Sequence, residues 1–361
     1  MHMRFLILLC IFFLSGCARF FLPGNKTITP LTPQPEVEPP LKLLWEIKTP
    51  GLPQGGLVFH DGYILFACGT GHVAAIDLKS SDIVAKKKFG KSCARPPVAD
   101  SSVFYQTYEM GDDGLIAYNF KKKKVLWKVE KNLSQSTPIE IGNKIYYQSI
   151  EGNVYCLDTI SGEIIWKYSM AQKTLNALCP VASLIISAGL DGRIVALDTA
   201  GGVEQWQVNL STRILADPVS KENLLYIAGY DGSLYILNIE NGRTLAHKKF
   251  NVPLYHAPAF DNVTIYIPLS NGELIAEGRD NFNVHWTFKG LGPAAETPLV
   301  TSSYIYYTTL ANQLYVIDKK DGSALQSVHL KGRPRSRPYI YHDHLYVVHE
   351  DKYVSAFIHE N

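Results

Sequence analysis

The sequence lacks an excess of either charge. Lysine and arginine together number 35 and aspartate and glutamate 33 among 361 residues, which leaves a formal net charge of +2. Proteins that bind nucleic acid through its phosphates concentrate positive charge, and a balanced chain does not attract such a polyanion from a distance. Nucleic acid is therefore not a predicted partner.

The sequence also lacks a long apolar run. The N-terminal run FLILLCIFFL, Phe5 to Leu14, is half as long as the roughly 20 residues that a transmembrane helix needs. Arg4 precedes this run, and a basic residue followed by a short apolar stretch is typical of a signal peptide. We therefore predict a cleaved signal over residues 1–16 and no membrane-spanning helix there.

The residues that follow the apolar run predict lipid attachment. Leu14-Ser15-Gly16-Cys17 resembles the bacterial lipobox, in which the cysteine thiol is acylated and becomes the first residue of the mature protein. An ordinary signal peptide with a chance cysteine is the alternative. Ala18 is not the aspartate of the inner-membrane retention signal. We therefore predict lipidation at Cys17 and an outer-membrane location that faces the periplasm.

A proline-rich segment separates Cys17 from the folded part of the chain. NKTITPLTPQPEVEPP, Asn25 to Pro40, is interrupted by proline at short intervals, which excludes helix and disfavours sheet. Such a segment acts as a semi-rigid spacer of about 3.1 Å per residue. We assign residues 17–41 to this tether and residues 42–361 to one folded domain.

A repeat of about 40 residues fills the folded domain. EGNVYCLDTISGEIIW (151–166) and DGRIVALDTAGGVEQW (191–206) show the unit, which is a turn glycine, a strand, a second turn and a strand that carries tryptophan. A period of this length indicates a repeat architecture. The positions equivalent to the turn glycine are Gly71, Gly114, Gly152, Gly192, Gly232, Gly272, Asn312 and Lys352.

Four short antiparallel strands in each unit predict one blade of an all-β propeller. The Asp-Gly and Asn-Gly pairs at the repeated turn predict two-residue hairpins, which need a positive φ. Asn312 tolerates that conformation, whereas Lys352 fits it poorly. We therefore expect the last of these turns to be built differently.

The eighth unit predicts how the ring closes. Its outer strand would fall beyond Asn361, whereas LKLLWEIKT, Leu41 to Thr49, has the pattern of an outer strand with no blade before it. We therefore predict that Trp45 completes blade eight and joins the two ends of the domain. The predicted fold is an eight-bladed propeller without exposed edges at its closure.

The repeat resembles that of quinoprotein (PQQ-type) propellers, as Gly152 to Trp166 shows best. A WD-repeat propeller is not indicated, because no blade tryptophan is followed by aspartate. With its lipobox and tether, the chain is similar to the BamB-like family of outer-membrane assembly lipoproteins. The resemblance implies a non-enzymatic periplasmic scaffold that binds the barrel-inserting subunit, with nascent outer-membrane proteins as further candidate partners.

An enzyme of the quinoprotein class is not predicted. As a family, quinoprotein dehydrogenases carry a vicinal cysteine pair and a calcium beside a catalytic aspartate, but no two cysteines are adjacent here. Asp158, Asp198 and Asp318 recur at one repeat position, which indicates turn formers. We predict no catalytic or cofactor-binding residue. A ligand-binding or quinoprotein-like redox propeller, or another cell-envelope scaffold, remains the alternative.

The cysteines and histidines do not predict a site of their own. An oxidising periplasm would permit a Cys68–Cys93 or a Cys156–Cys179 bridge, but connectivity cannot be read from a sequence. The densest histidine cluster, residues 342–349, has no further ligand spaced for a closed metal site. We interpret it as a histidine-rich turn and predict no metal site.

The loops between blades contain the predicted partner-binding residues. KGRPRSRP (331–338) places three arginines before the innermost strand of blade eight, and guanidinium groups suit carboxylates on a partner. Solvated loop charges are the alternative interpretation. In the family that the chain resembles, the loop between blades three and four supplies a leucine and an arginine contact, and AQKTLNALCP here has the leucine alone. The predicted residues are Leu175, Arg213, Arg333, Arg335 and Arg337.

Overall fold

A computed structural model describes residues 35–93, 95, 97–100 and 102–360. The predicted signal peptide, the lipidation site Cys17 and the tether up to residue 34 lie outside the described residues. The described residues form 32 strands in eight four-stranded antiparallel sheets. The predicted all-β, eight-bladed propeller is confirmed. Within these ranges, no helix is long and apolar enough to cross a membrane.

The strands are numbered in chain order, and β1 (Leu41–Lys48) precedes the first blade. Blade one comprises β2 (Pro53–His60), β3 (Tyr63–Cys68), β4 (His72–Asp77) and β5 (Ile83–Lys88). Blade two comprises β6 (Val98–Asp100), β7 (Val103–Thr107), β8 (Asp113–Asn119) and β9 (Lys124–Glu130). Blade three comprises β10 (Ile139–Ile141), β11 (Lys144–Gln148), β12 (Asn153–Asp158) and β13 (Ile164–Ser169). Blade four comprises β14 (Cys179–Val181), β15 (Leu184–Ala188), β16 (Arg193–Asp198) and β17 (Glu204–Asn209).

The second half of the ring continues this pattern. Blade five comprises β18 (Val219–Lys221), β19 (Leu224–Ala228), β20 (Ser233–Asn238) and β21 (Thr244–Lys249). Blade six comprises β22 (Ala259–Phe260), β23 (Thr264–Pro268), β24 (Glu273–Gly278) and β25 (Val284–Lys289). Blade seven comprises β26 (Leu299–Val300), β27 (Tyr304–Thr309), β28 (Gln313–Asp318) and β29 (Ala324–His329). Blade eight comprises β30 (Tyr339–Tyr341), β31 (His344–His349), β32 (Tyr353–His359) and β1.

The N-terminal strand closes the ring, as predicted. Strand β1 is the outer strand of blade eight and pairs antiparallel with β32, from Leu41 opposite His359 to Lys48 opposite Tyr353. Trp45 lies opposite Ala356, and its ring centroid is 5.8 Å from that of Tyr346. The strand formed by residues 41–48 therefore shields the edge that β32 would otherwise expose.

The antiparallel order of the strands gives the disc two distinct faces. In each blade the innermost strand starts where the loop from the preceding blade ends, so all inter-blade loops lie on one face. The turn between the second and third strands lies on the same face. We call this the loop face. The other two hairpin turns of each blade lie on the opposite face.

The turn on the loop face is a type I turn followed by one residue in the left-handed conformation. In blade three, Ser149 N donates to Asn153 O at 2.8 Å and Gly152 N donates to Ser149 O at 2.9 Å. Gly152 has φ 83°. This is the three-residue hairpin with a glycine bulge. The prediction of two-residue hairpins is therefore wrong, because only the glycine and not the residue before it has a positive φ.

Lys352 adopts the same turn geometry as the glycines. Its φ is 63°, close to the 61° of Asn312. The left-handed conformation costs a non-glycine residue roughly 1–2 kcal/mol. Thr49 N, just after the closing strand, donates to Lys352 O at 2.6 Å, which is the bond that Met170 N makes to Gly152 O in blade three. The prediction that the last turn is built differently is wrong.

Neighbouring blades are joined by tryptophans on their outer strands. In blade four, the Trp206 indole N–H donates to Ile239 O of blade five at 2.7 Å. Gly242 of blade five lies against the same ring, and a Cβ atom there would be 2.4 Å from Trp206. The same glycine contact recurs in three more pairs, which are Trp127 with Gly162, Trp166 with Gly202 and Trp286 with Gly322.

The inner and middle strands supply the core. Strand β19 buries every residue after its first, and β27 does the same, as expected when each sheet is covered by a neighbour on both faces. The outer strands alternate between exposed and half-buried residues instead. The core is therefore a series of apolar layers between blades, which holds the loop face as one rigid surface.

Candidate functional site

An exposed cluster of aromatic residues lies on the loop face at blades five and six. Tyr230 sits in the loop-face turn of blade five, and Tyr255 lies in the loop that follows this blade. Their ring centroids are 5.8 Å apart in a T-shaped arrangement. The Arg213 guanidinium lies 5.4 Å from the Tyr230 ring centroid. We call these three residues the aromatic cluster.

The aromatic cluster is both ordered and open to solvent. Tyr230 is 38% and Tyr255 42% exposed. A hydrogen bond with Tyr230 raises the pKa of the Tyr255 phenol, so the Tyr255 hydroxyl remains protonated at neutral pH. Tyr230 N also donates to Arg213 O at 2.8 Å, which fixes the two side chains on adjacent backbone segments. The cluster therefore presents a pre-organised aromatic and cationic surface.

Leu175 lies in the loop between blades three and four and is half-buried. Its neighbours anchor the loop: Thr174 Oγ1 donates to Ser149 O at 2.9 Å, and Asn176 Nδ2 donates to Ile214 O at 3.2 Å. These bonds hold Leu175 on the loop face. Its predicted role as a contact residue stays a prediction.

The structure separates the three arginines of the last inter-blade loop. Arg333 and Arg335 are exposed and share one carboxylate, with Glu350 oxygens 3.3 Å and 3.4 Å from their guanidinium nitrogens. Part of their charge is therefore already neutralised within the loop face. Arg337 is only half-exposed and turns into the central channel, where its guanidinium lies 5.5 Å from the Tyr339 ring centroid.

A cavity of about 240 Å³ lies at the mouth of the central channel on the loop face. We call it the channel cavity. Its charged lining residues are Arg95, Asp217, Glu296 and Arg337, with His256 beside them. Tyr255 also lines it, so the cavity is continuous with the aromatic cluster. Leu215, Val219 and Pro258 supply apolar wall.

Sequence reasoning predicted Arg213 and Arg337 but missed Tyr230, Tyr255 and Glu296. A weak signal for the tyrosines existed. Tyr230 directly precedes the Asp-Gly pair of the repeated turn, where blades three and four have Ile150 and Leu190. The spacing of Glu296 and Arg337 in the sequence does not relate them, because it is the closed circle of blades that brings both residues to the cavity.

The other candidate residues have structural roles. Asp158 Oδ1 accepts the backbone N–H groups of Ile160 and Ser161 at 2.9 and 2.8 Å, and these bonds lower the pKa of that carboxyl. Asp198 and Asp318 accept backbone N–H groups in the same way. Their interpretation as turn formers is confirmed.

The cysteines are separate buried thiols. Cys68, Cys93, Cys156 and Cys179 are all buried and form no disulfide in the structure. Burial raises the pKa of Cys68 to about 11, so this thiol stays protonated.

The histidine-rich turn pairs within itself. His344 Nδ1 lies 2.6 Å from the Asp343 carboxylate. No group of three or more potential ligands that could hold a metal ion occurs among the described residues.

Comparison with known proteins shows the family. A family model described as "Outer membrane protein assembly factor BamB" matches residues 41–185, 124–209, 190–303 and 286–361. No curated protein matches the sequence.

Solved structures with the same fold serve different functions. BamB from Moraxella catarrhalis is 18% identical with a TM-score of 0.74, covering 88% of this chain and 99% of that one. A quinohemoprotein alcohol dehydrogenase from Comamonas testosteroni is 12% identical with a TM-score of 0.73, covering 89% and 77%. A europium-containing methanol dehydrogenase is 14% identical with a TM-score of 0.72, covering 85% and 84%. At these identities the structures show the fold alone. The family model matches from residue 41 to residue 361, and the chain therefore belongs to the family of the outer membrane protein assembly factor BamB.

Proposed function

We propose that the protein is a non-enzymatic scaffold of the outer-membrane β-barrel assembly machinery. In this proposal, lipid on Cys17 anchors it to the outer membrane, the propeller faces the periplasm, and the loop face binds the barrel-inserting subunit. Family membership favours this role. Nascent outer-membrane proteins are a further candidate partner.

The observation on which the proposal chiefly rests is the exposed aromatic cluster on the loop face. Tyrosine and arginine are enriched where protein interfaces gain most of their binding energy. Tyr230 and Tyr255 each expose more than a third of their surface. Leu291, in the loop after blade six, is 66% exposed on the same face. The surface is therefore suited to a protein partner.

Glu36 and Val37 contact the face of the propeller opposite this surface. The Glu36 carboxylate accepts hydrogen bonds from Ser303 N at 2.9 Å and Ser303 Oγ at 3.0 Å. Val37 N donates to the Tyr306 hydroxyl at 2.8 Å. Ser303 lies in the first hairpin turn of blade seven, on the opposite face. The described chain therefore enters the propeller on the face opposite the loop face.

Site-specific photo-crosslinking in intact cells tests the proposal. A photoreactive residue at Leu291 should yield an adduct with the barrel-inserting subunit. Val263 is the matched control, because it is 69% exposed in a turn of the same blade on the opposite face. We expect no adduct with the subunit from that position. Adducts with unrelated envelope proteins alone, or equal adducts from both positions, would contradict the proposal.

A binding measurement on purified proteins adds the energetic test. Truncating a hot-spot tyrosine costs about 2 kcal/mol or more, and 1.4 kcal/mol corresponds to a tenfold change in affinity. We therefore expect Tyr255→Ala to weaken binding of the barrel-inserting subunit by at least about tenfold, while Tyr63→Ala, an exposed tyrosine on the opposite face, leaves it unchanged. If quinone and calcium instead raise the melting temperature of the domain, the redox alternative is favoured.

A further inference from the structure

The channel cavity contains two pairs of opposite charges, and only one pair is internally satisfied. Arg95 NH2 lies 3.7 Å from Asp217 Oδ1, and Arg95 Nε donates to Gln135 O at 3.1 Å. The Asp217 carboxylate also accepts Ala177 N at 2.6 Å. These bonds join the inter-blade loops that precede blades two, three, four and five, and this pair therefore serves as a structural wall of the cavity.

The second pair, Arg337 and Glu296, is not joined. No carboxylate of the described residues lies within 4.0 Å of the Arg337 guanidinium, and its Nε is buried without an acceptor. Glu296 Oε2 lies 3.8 Å from His256 Nδ1 and 3.4 Å from Thr297 N. The polar neighbours of this carboxylate are therefore a histidine and a backbone amide. A guanidinium group and a carboxylate are thus held in one small cavity without neutralising each other.

Arg337 and Glu296 line the same cavity, which places them close together. Burial raises the pKa of Tyr339, Arg337 lowers it and Glu296 raises it. The Tyr339 ring also packs against the backbone of Gly56, where a Cβ atom would lie 1.9 Å from the hydroxyl. Tyr339 is therefore held in place beside Arg337 by its contact with the Gly56 backbone.

The arrangement selects the charge type of a ligand. A simple anion would be attracted by Arg337 and repelled by Glu296, and a simple cation would meet the reverse combination. A molecule that carries a carboxylate and an ammonium group satisfies both. A guanidinium binds a carboxylate with two parallel hydrogen bonds, and a carboxylate accepts an ammonium group at short range.

We propose that the channel cavity binds an α-amino acid, with its carboxylate on Arg337, its ammonium group on Glu296 and its side chain against Leu215, Val219 and Pro258. The volume supports a small organic ligand, because the roughly 10–15 Å³ of cavity space that one water needs is a small fraction of 240 Å³. Tyr255 also lines the cavity, so a bound ligand would contact a member of the aromatic cluster.

Isothermal titration calorimetry with matched probes tests this proposal on the purified domain. L-leucine carries both charges, 4-methylpentanoate lacks the ammonium group, and 3-methylbutylamine lacks the carboxylate. We expect saturable one-to-one binding of L-leucine and at least tenfold weaker binding of either partial probe. No saturable binding of L-leucine, or equal binding of 4-methylpentanoate, would overturn the proposal.

Variants locate the binding in the cavity. Glu296→Gln and Arg337→Gln should each weaken L-leucine binding at least tenfold, whereas Arg333→Gln, on the same loop face but outside the cavity lining, should leave it unchanged. Arg337→Lys keeps the charge and tests the site if Arg337→Gln fails to fold. Binding that is indifferent to both cavity variants contradicts the assignment. Because the readout is a small molecule, the result is independent of the barrel-inserting subunit.

Discussion

His349 is a fully buried base at the closure of the ring. Its Nε2 lies 2.8 Å from Ser355 Oγ, which in turn donates to Glu46 Oε1 at 3.0 Å. Its Nδ1 is buried and has no partner among the described residues. Burial lowers the pKa of His349 below its ordinary value of 6.5, Glu46 and Asp351 oppose that shift, and Lys331 adds to it. Burial is the largest of these effects, so the folded protein holds a neutral imidazole.

This histidine predicts a loss of stability in mild acid. Because the folded-state pKa is lowered, the unfolded chain takes up the proton first as the pH falls below about 6.5, and stability then declines towards the folded pKa. One such proton contributes at most about 1.4 kcal/mol per pH unit. We expect the free energy of unfolding of the wild type to fall between pH 7 and pH 5 relative to His349→Gln. Urea titrations at pH 5, 6, 7 and 8 measure this difference, and parallel curves for the two proteins would contradict it.

At the scale of single residues, the sequence predicts local roles better than distant contacts. The aspartates of the outer turns were recognisable because their backbone partners lie two and three residues away. His349 was grouped with the nearby histidines, yet its contact is with Glu46, at the other end of the domain. Local spacing contains no information about a contact made by ring closure.

At one position of the interface between neighbouring blades, the size of a side chain on one blade is matched to the size of the residue on the next. In the four pairs described above, an outer strand carries tryptophan and the next blade has glycine, as in Trp206 and Gly242. Blade five has Ala246 in place of tryptophan, and blade six has Phe282 in place of glycine with φ 55°. Ala246 and Phe282 pack against the same apolar cluster. The glycine is therefore required by the neighbouring ring and not by the turn alone.

A pair of glycine variants separates these two requirements. Gly242 and Gly142 have φ of 69° and 61°, but a Cβ atom would be 2.4 Å from Trp206 at Gly242 and would meet nothing within 4 Å at Gly142. Alanine at either position costs roughly 1–2 kcal/mol for the left-handed conformation, and overpacking adds about 1–3 kcal/mol. We expect Gly242→Ala to be the more destabilising by about 1–3 kcal/mol in denaturant unfolding. Equal losses would show that the turn alone requires glycine.

At the scale of elements, the repeat period predicts the strands, and the turn residues predict turn geometry less well. The 40-residue spacing placed the four strands of each blade because hydrophobic pattern and turn signals recur together. The loop-face turn was misread because an Asp-Gly pair fits both a two-residue and a three-residue hairpin. Lys352 was misread because its turn, including the bond that its carbonyl oxygen accepts from Thr49 N, is built as in the other blades despite the lysine side chain.

The whole ring depends on one strand from the far end of the chain. Counting repeats predicts this, since the eighth unit lacks an outer strand and the segment with Trp45 lacks a blade. The loop face could not be predicted as a surface, because Arg213, Tyr255 and Arg337 come from different inter-blade loops. Their proximity follows from the closed circle and not from any spacing in the sequence.

Removal of the closing strand should open the ring. A chain that starts at residue 41 keeps β1, whereas a chain that starts at residue 50 exposes β32 as an unpaired edge beside a core that has lost Trp45. We expect the longer chain to unfold cooperatively as a monomer, and the shorter one to melt at a lower temperature and to self-associate through the exposed edge. Thermal unfolding and light scattering measure both effects.

A synthetic peptide of residues 41–49 should restore the monomer and raise the melting temperature, because it supplies the missing strand in trans. If the shorter chain melts with the longer one and stays monomeric without the peptide, the seven other blades and the three remaining strands of blade eight hold the ring by themselves.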